Sequence, residues 1–169
     1  MTSQSCLEPF ILKAESFENV KSQIGFCGIW CGSCAVGNGT LRELTKRYEE
    51  IIKGYGLREW APKDFDFKEF SKGLASIQTM PLCQGCIKGG GRTDCEIRAC
   101  ASNKNLHDCS TCDQPTTCKN TEILQHMRTG ALAAGLMVKT ENIERQKLLE
   151  KWTAELKNKW PAYILFLRE

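Results

Sequence analysis

The sequence predicts a small, single-domain protein that is mainly α-helical, with an irregular cysteine-rich region organised by metal. Three observations predict it. Apolar residues recur at spacings of three and four in several stretches, the period of a helix with one buried face. Ten of the eleven cysteines fall in two segments that include three Cys-x-x-Cys pairs. The length, 169 residues, suits one core with a small metal-held lobe.

Residues 1–24 read as an N-terminal extension with a short amphipathic stretch, and Cys6, apart from the other cysteines, as an unligated thiol. The cysteine-rich, metal-binding domain is expected over residues 25–130. It opens with Cys27-Gly-Ile-Trp-Cys31-Gly-Ser-Cys34 and the turn signal Gly37-Asn38-Gly39. Thr40-Leu-Arg-Glu43 has the form of a capping box, so an inserted helix is expected over about 40–53. Leu41, Leu44, Tyr48, Ile51 and Ile52 should form its buried face, and Gly54 and Gly56 should end it. A second inserted helix is expected over 64–78, where Phe67, Phe70, Leu74 and Ile77 keep helical spacing across the weakening Gly73. Thr93 to Glu96 is another capping box, placing Cys95 in the first turn of a short helix. A further helix is expected over 122–128, closed by Gly130. Residues 139–169 should form a C-terminal helix, capped by Thr140 and striped by Leu149, Trp152, Leu156 and Trp160, with an apolar tail after Pro161 packing on it.

Two thiolates separated by two residues on a tight turn can reach one ion, the reason Cys-x-x-Cys recurs in zinc sites. The candidate ligands are Cys27, Cys31, Cys34, Cys83, Cys86, Cys95, Cys100, Cys109, Cys112 and Cys118. Cys95 and Cys100 lie five residues apart, about 140° around a helix. Either that helix breaks between them or they serve different sites. His107 precedes Cys109 by two residues and is open as a ligand, whereas His126 belongs with the packed border of its helix. Gly89-Gly90-Gly91 lacks the Gly-Lys-Ser/Thr ending of a phosphate loop and reads as a flexible connection. Arg98 is expected to brace a thiolate or carboxylate.

Other classes are disfavoured. The first twenty residues carry charges and no signal-peptide core, and no apolar run reaches membrane-span length, so a cytoplasmic protein with reduced thiols is expected. The net charge of +3 is dispersed. Lys88, Arg92, Arg98, Lys104 and Lys119 are balanced by Asp94, Glu96, Asp108 and Asp113 in the second cysteine segment, which leaves no footprint for nucleic acid. Two histidines, with no serine, histidine and carboxylate set, leave little material for acid–base catalysis, so a non-enzymatic role is favoured.

The order Cys27-Gly28, Cys31, Cys34, then Cys83-Gln-Gly-Cys86, Cys95-Glu-Ile97-Arg98-Ala-Cys100-Ala101, and Cys109-Ser-Thr-Cys112-Asp113 with Cys118 resembles a cysteine-rich family of bacteria and archaea. That family carries a domain-of-unknown-function label and is taken to bind zinc. The resemblance covers roughly residues 25–125, with one departure: Pro115 lies three residues before the last cysteine instead of one. It implies a zinc protein and supplies no activity.

The leading expectation is therefore a binding or accessory module with a protein partner and two or more Zn2+ in structural four-cysteine sites. The alternatives are an iron–sulfur redox protein, for example with a [4Fe-4S] cluster, and a small enzyme with an open zinc site. If the clustered thiols are metal-bound, Cys6 is the cysteine expected to alkylate first in the native protein, as mass-spectrometric mapping of a labelling time course would record.

Overall fold

The computed structural model describes residues 12–160, with side chains described from residue 16. Its architecture is mainly helical, as expected: α1 (Leu12–Lys21), α2 (Thr40–Gly54), α3 (Leu57–Trp60), α4 (Phe67–Thr79), α5 (Glu96–Asn103), α6 (Thr121–Ala133) and α7 (Arg145–Lys159). Among the described residues, extended pairing is limited to two isolated antiparallel bridges, Ile24 with Trp30 and Ile29 with Val138.

Those bridges position the core. The Gly25 amide donates to the Ile29 carbonyl at 2.8 Å, and the Cys31 amide donates to Gln23 at 2.9 Å. On the other side the Trp30 amide donates to Met137 at 2.9 Å and the Lys139 amide to Gly28 at 2.8 Å. The segment carrying Cys27 and Cys31 is thus held between the end of α1 and the chain leading to α7. Gly28 has φ +95, and a Cβ there would lie 2.1 Å from the Lys139 carbonyl oxygen, so only glycine fits.

Trp30 anchors the core, with no exposed surface. Its ring stacks on Trp152 of α7 at 5.7 Å, and Phe17 of α1 meets it edge-on at 6.3 Å. Its indole N–H donates to the Lys21 carbonyl at 2.7 Å, so the buried polar atom is satisfied. Ile24, Leu148 and Leu156 complete the cluster, with Met137, Leu149 and Trp160 partly buried against it. The N-terminal stretch thus contributes to the core through Phe17 and Val20, both buried.

Several element ends differ from expectation. Helix α2 takes Gly39, in a left-handed conformation, as its N-cap, and Thr40 is its first helical residue. The Asn38 carboxamide oxygen, by accepting from the Thr40 amide and hydroxyl, does what the capping box was expected to do. Helix α4 starts at Phe67 because Asp66 caps it, accepting from the Glu69 amide, and it runs through Gly73, which faces open space. Helix α6 continues through Gly130 to Ala133, where Gly135 at φ +74 provides the stop. Helix α7 begins at Arg145, well after Thr140. The short α3 had no sequence signal.

The largest difference is the face that α2 buries. Ile52 is buried, but Leu44, Tyr48 and Ile51 are exposed. The side turned to α4 is mostly polar: Arg42 donates to the Gln78 carbonyl, and Gln78 donates to Glu49. The stripe correctly marks a helix, and Ile52 and the half-buried Leu41 turn inward as expected, but its other three residues face outward. In α4 only Leu74 of the expected stripe is fully buried.

Trp30→Ala is expected to lower the unfolding free energy by about 3–5 kcal/mol, the cost of a large buried aromatic plus its cavity. Denaturant unfolding followed by helical circular dichroism measures it.

Candidate metal centre

Two of the three Cys-x-x-Cys pairs coincide with a tight turn, and the third leads into one. A 3-10 turn covers Cys31–Ser33, closed by the Cys34 amide donating to the Cys31 carbonyl at 3.1 Å. Another covers Cys109–Thr111, with the Cys112 amide 3.5 Å from the Cys109 carbonyl oxygen. A third, Cys86–Lys88, follows the Cys83–Cys86 pair, and Gly85 within that pair has φ +86. A turn of this kind puts both thiols of a pair on one side of the backbone, as ligation of one ion needs.

All ten described cysteines are free, half-buried thiols, and Cys6 lies outside the described residues. They fall into two neighbourhoods. Cys31 is pushed up to about 11, first by burial, against a hydrogen bond from the Cys86 amide, and then by the charges of Cys86, Cys83 and Cys34. Cys109 is also pushed up to about 11. Burial is the main cause there, opposed by the Arg128 guanidinium and reinforced by Cys118, Cys27 and Cys100. Cys27 links the two groups. Its thiol is raised by burial, lowered by the Ile29 amide, and raised again by Cys86 and by Cys95.

Glycines allow the close approach. A Cβ at Gly90 would lie 2.9 Å from the Cys83 sulfur, and one at Gly25 would lie 3.2 Å from the Cys86 Cβ. The glycine loop thus folds onto a thiol, a more definite role than a flexible connection. Arg98 holds it there, donating to the carbonyls of Gly90 at 2.5 Å and Arg92 at 2.8 Å. It braces backbone instead of the thiolate or carboxylate expected from sequence.

The remaining expected ligands sit as follows. Cys95 is the N-cap of α5, not in its first turn, and its sulfur accepts from the Arg98 amide at 3.5 Å. The helix is unbroken from Glu96 through Cys100, but Cys95 caps it with extended backbone, so the separation of about 140° in a regular helix does not apply to this pair. Cys112 lies 3.9 Å from the Lys104 ammonium. His107 and His126 are both exposed, and His126 is not part of a packed border.

Residues without a sequence signal as functional groups complete the arrangement. Asp108 accepts from the Ser110 amide at 2.9 Å, fixing the Cys109 turn, and from the Lys139 ammonium at 2.8 Å. Both side chains of that ion pair are 5% exposed. Burial alone would raise the Asp108 carboxyl; Lys139 and Ser110 hold it below the ordinary carboxylate range. Arg128 donates from Nε to the Cys27 carbonyl at 2.9 Å, and its Nη2 is buried without a partner. The Asp-x-Ser pattern was the only available hint of the Asp108 turn.

Whether these residues fit a thiophilic ion has a two-part answer. The donors fit in kind: Cys31 feels the charges of Cys86, Cys83 and Cys34, and an unsatisfied guanidinium N–H of Arg128 lies near Cys109, where thiolate charge would gather. As they stand, however, no three His, Cys, Asp or Glu side chains among the described residues close into a cluster that could hold an ion. The fold provides neighbours rather than a finished cage.

A small, mainly helical, cysteine-rich domain is the class these features define. The chain belongs to the DUF3795 family, described as proteins of unknown function, whose sequence profile matches residues 23–123. No curated protein and no solved structure matches it. The matched segment contains all ten clustered cysteines but neither α1 nor α7, so four of the six buried residues of the Trp30 cluster lie outside it.

Lys139→Met leaves the Asp108 carboxylate buried and unpaired, and is expected to cost about 3–5 kcal/mol of stability. Adding Asp108→Leu should recover part of this loss and not all, because the Ser110 amide still lacks its acceptor. Chemical denaturation of both variants tests it.

Proposed function

We propose that the chain is a metal-binding protein holding at least two zinc ions in structural thiolate sites, and that it acts as a binding or accessory module. The single observation that carries this reading is the neighbourhood of Cys31. Two Cys-x-x-Cys pairs from distant parts of the sequence, Cys31/Cys34 and Cys83/Cys86, meet at one place. One ion would take these four thiolates. The other would take its ligands from the group of Cys27, Cys100, Cys109 and Cys118, flanked by Cys95 and Cys112. When bound, zinc neutralises thiolate charge and cross-links turns that make few helix contacts of their own.

The iron–sulfur alternative would draw on the triplet Cys27, Cys31 and Cys34, and Cys27 and Cys31 share Cys86 as a neighbour. The spacing of the Cys-x-x-Cys pairs is what favours zinc over it. The chemical reason for a metal is also plain. Several half-buried thiols side by side resist ionising together, and a divalent cation offsets both their burial and their mutual repulsion. A structural zinc stabilises by on the order of 10 kcal/mol, which suits a region with little regular structure.

The test is elemental analysis and an absorption spectrum of anaerobically purified protein. A colourless protein with two or more zinc ions per chain is expected, since zinc has a filled d shell. Iron with acid-labile sulfide and visible absorption would sink this reading and make electron transfer the leading function. Cys31→Ser and Cys112→Ser should each lower the metal count and the stability together. Cobalt substitution then tests the grouping: Cys83→Ser should remove one thiolate–cobalt signal and leave the signal that Cys118→Ser removes.

A further inference from the structure

The inverted face of α2 carries an inference that does not depend on whether the cysteines hold metal. Leu44, Tyr48, Ile51 and Tyr55 are 37%, 53%, 57% and 75% exposed. Their spacing of four, three and four puts them in one line along the helix, the pattern of a coiled-coil seam. Tyr55 is the C-cap residue, so the stripe runs to the end of α2. The α4 side adds to it, with Phe70 edge-on to Tyr48 at 6.4 Å and Phe65 5.2 Å from Phe70. The principal helix neighbours of α2 are α4 and α3; apart from the Phe70 contact with Tyr48, they leave the stripe exposed.

We propose that this stripe is a self-association surface, on which α2 of a second copy of the chain packs antiparallel. Two observations select that occupant. The first is symmetry. The spacing four–three–four reads the same in both directions, so an antiparallel copy sets Leu44 against Tyr55 and Tyr48 against Ile51. Every contact then pairs one tyrosine with one aliphatic side chain, and the volumes interdigitate along the whole seam. The second is area. Leu44, Tyr48, Ile51, Tyr55, Trp60 and Phe65 together expose roughly 600 Å² of apolar side chain. That approaches the about 800 Å² per partner of a standard interface once flanking polar atoms are included, and it matches the largest patches that monomers leave bare. The aromatic share is also what interface centres favour, since Tyr and Trp are enriched among residues that dominate binding.

Sedimentation equilibrium of the full chain across a concentration series tests the proposal. A mass rising toward two chains is expected, and Ile51→Glu should weaken association by about thirtyfold or more, a hot-spot-sized effect. Position 51 is exposed, so the variant should keep its helical circular dichroism. A photo-reactive phenylalanine analogue replacing Ile51 gives an independent reading in a mixture of isotopically light and heavy protein. A light–heavy cross-link to the segment around Tyr48 supports the antiparallel pair. A monomer at all concentrations, a cross-link within one chain to residues 1–11 or 161–169, or association that Ile51→Glu leaves unchanged would overturn it.

Discussion

The burial of the Trp30 indole is the interaction on which the other features depend. This residue lies within the first cysteine motif, one position before Cys31, and it has no exposed surface. Its ring stacks on Trp152 from α7 and meets Phe17 from α1, which ties the two ends of the described chain to the motif between them. The backbone on either side is fixed by the bridges to Ile24 and Val138. Cys27 and Cys31 are therefore oriented by a hydrophobic core, before any ion is considered. A pair of thiols attached to such an anchor costs little further entropy to bring together, because the residues between them are already ordered.

In the rest of the thiol region, polar contacts position the turns around the buried Ile97 and Ala101 of α5. Arg98 clamps the glycine loop against Cys83. Asp108, held by Lys139, fixes the Cys109 turn. Gln23 donates to the Gln84 carbonyl between Cys83 and Cys86. Each of these groups acts on backbone and so determines where a sulfur sits without touching it. A buried ion pair such as Asp108–Lys139 is weak as a source of stability, since desolvation offsets much of the attraction. Its geometric constraint is the stronger reason for its presence, because it couples the Cys109 turn to the strand-like segment that also supports Trp30.

Helix α2 follows a different logic. Its inner side meets α4 through Arg42, Glu49 and Gln78, while its apolar stripe faces outward. In a helix that belonged only to the core the reverse would hold. The Trp30 cluster holds α1, the first cysteine motif and α7 together without the α2 stripe, which leaves that stripe available for contact outside the chain.

The sequence by itself determined the helical class, the existence of α2, α4 and α7, and the set of ten clustered cysteines. These are local or compositional properties: the period of apolar residues, the Cys-x-x-Cys spacing and the position of Pro and Gly act within a few residues. Leu148, Trp152 and Leu156 could be placed inward to within one position for the same reason. Only the tertiary structure decided which thiols are neighbours, since Cys31 and Cys83 are brought together across an insertion of three helices, α2 to α4, whose path no local signal encodes. It also decided that Asp108 and Lys139 pair, and that the stripe of α2 faces outward. Periodicity shows that a helix has two faces; which face is covered depends on the chain that arrives to cover it, and no described part of this chain buries Leu44, Tyr48, Ile51 or Tyr55.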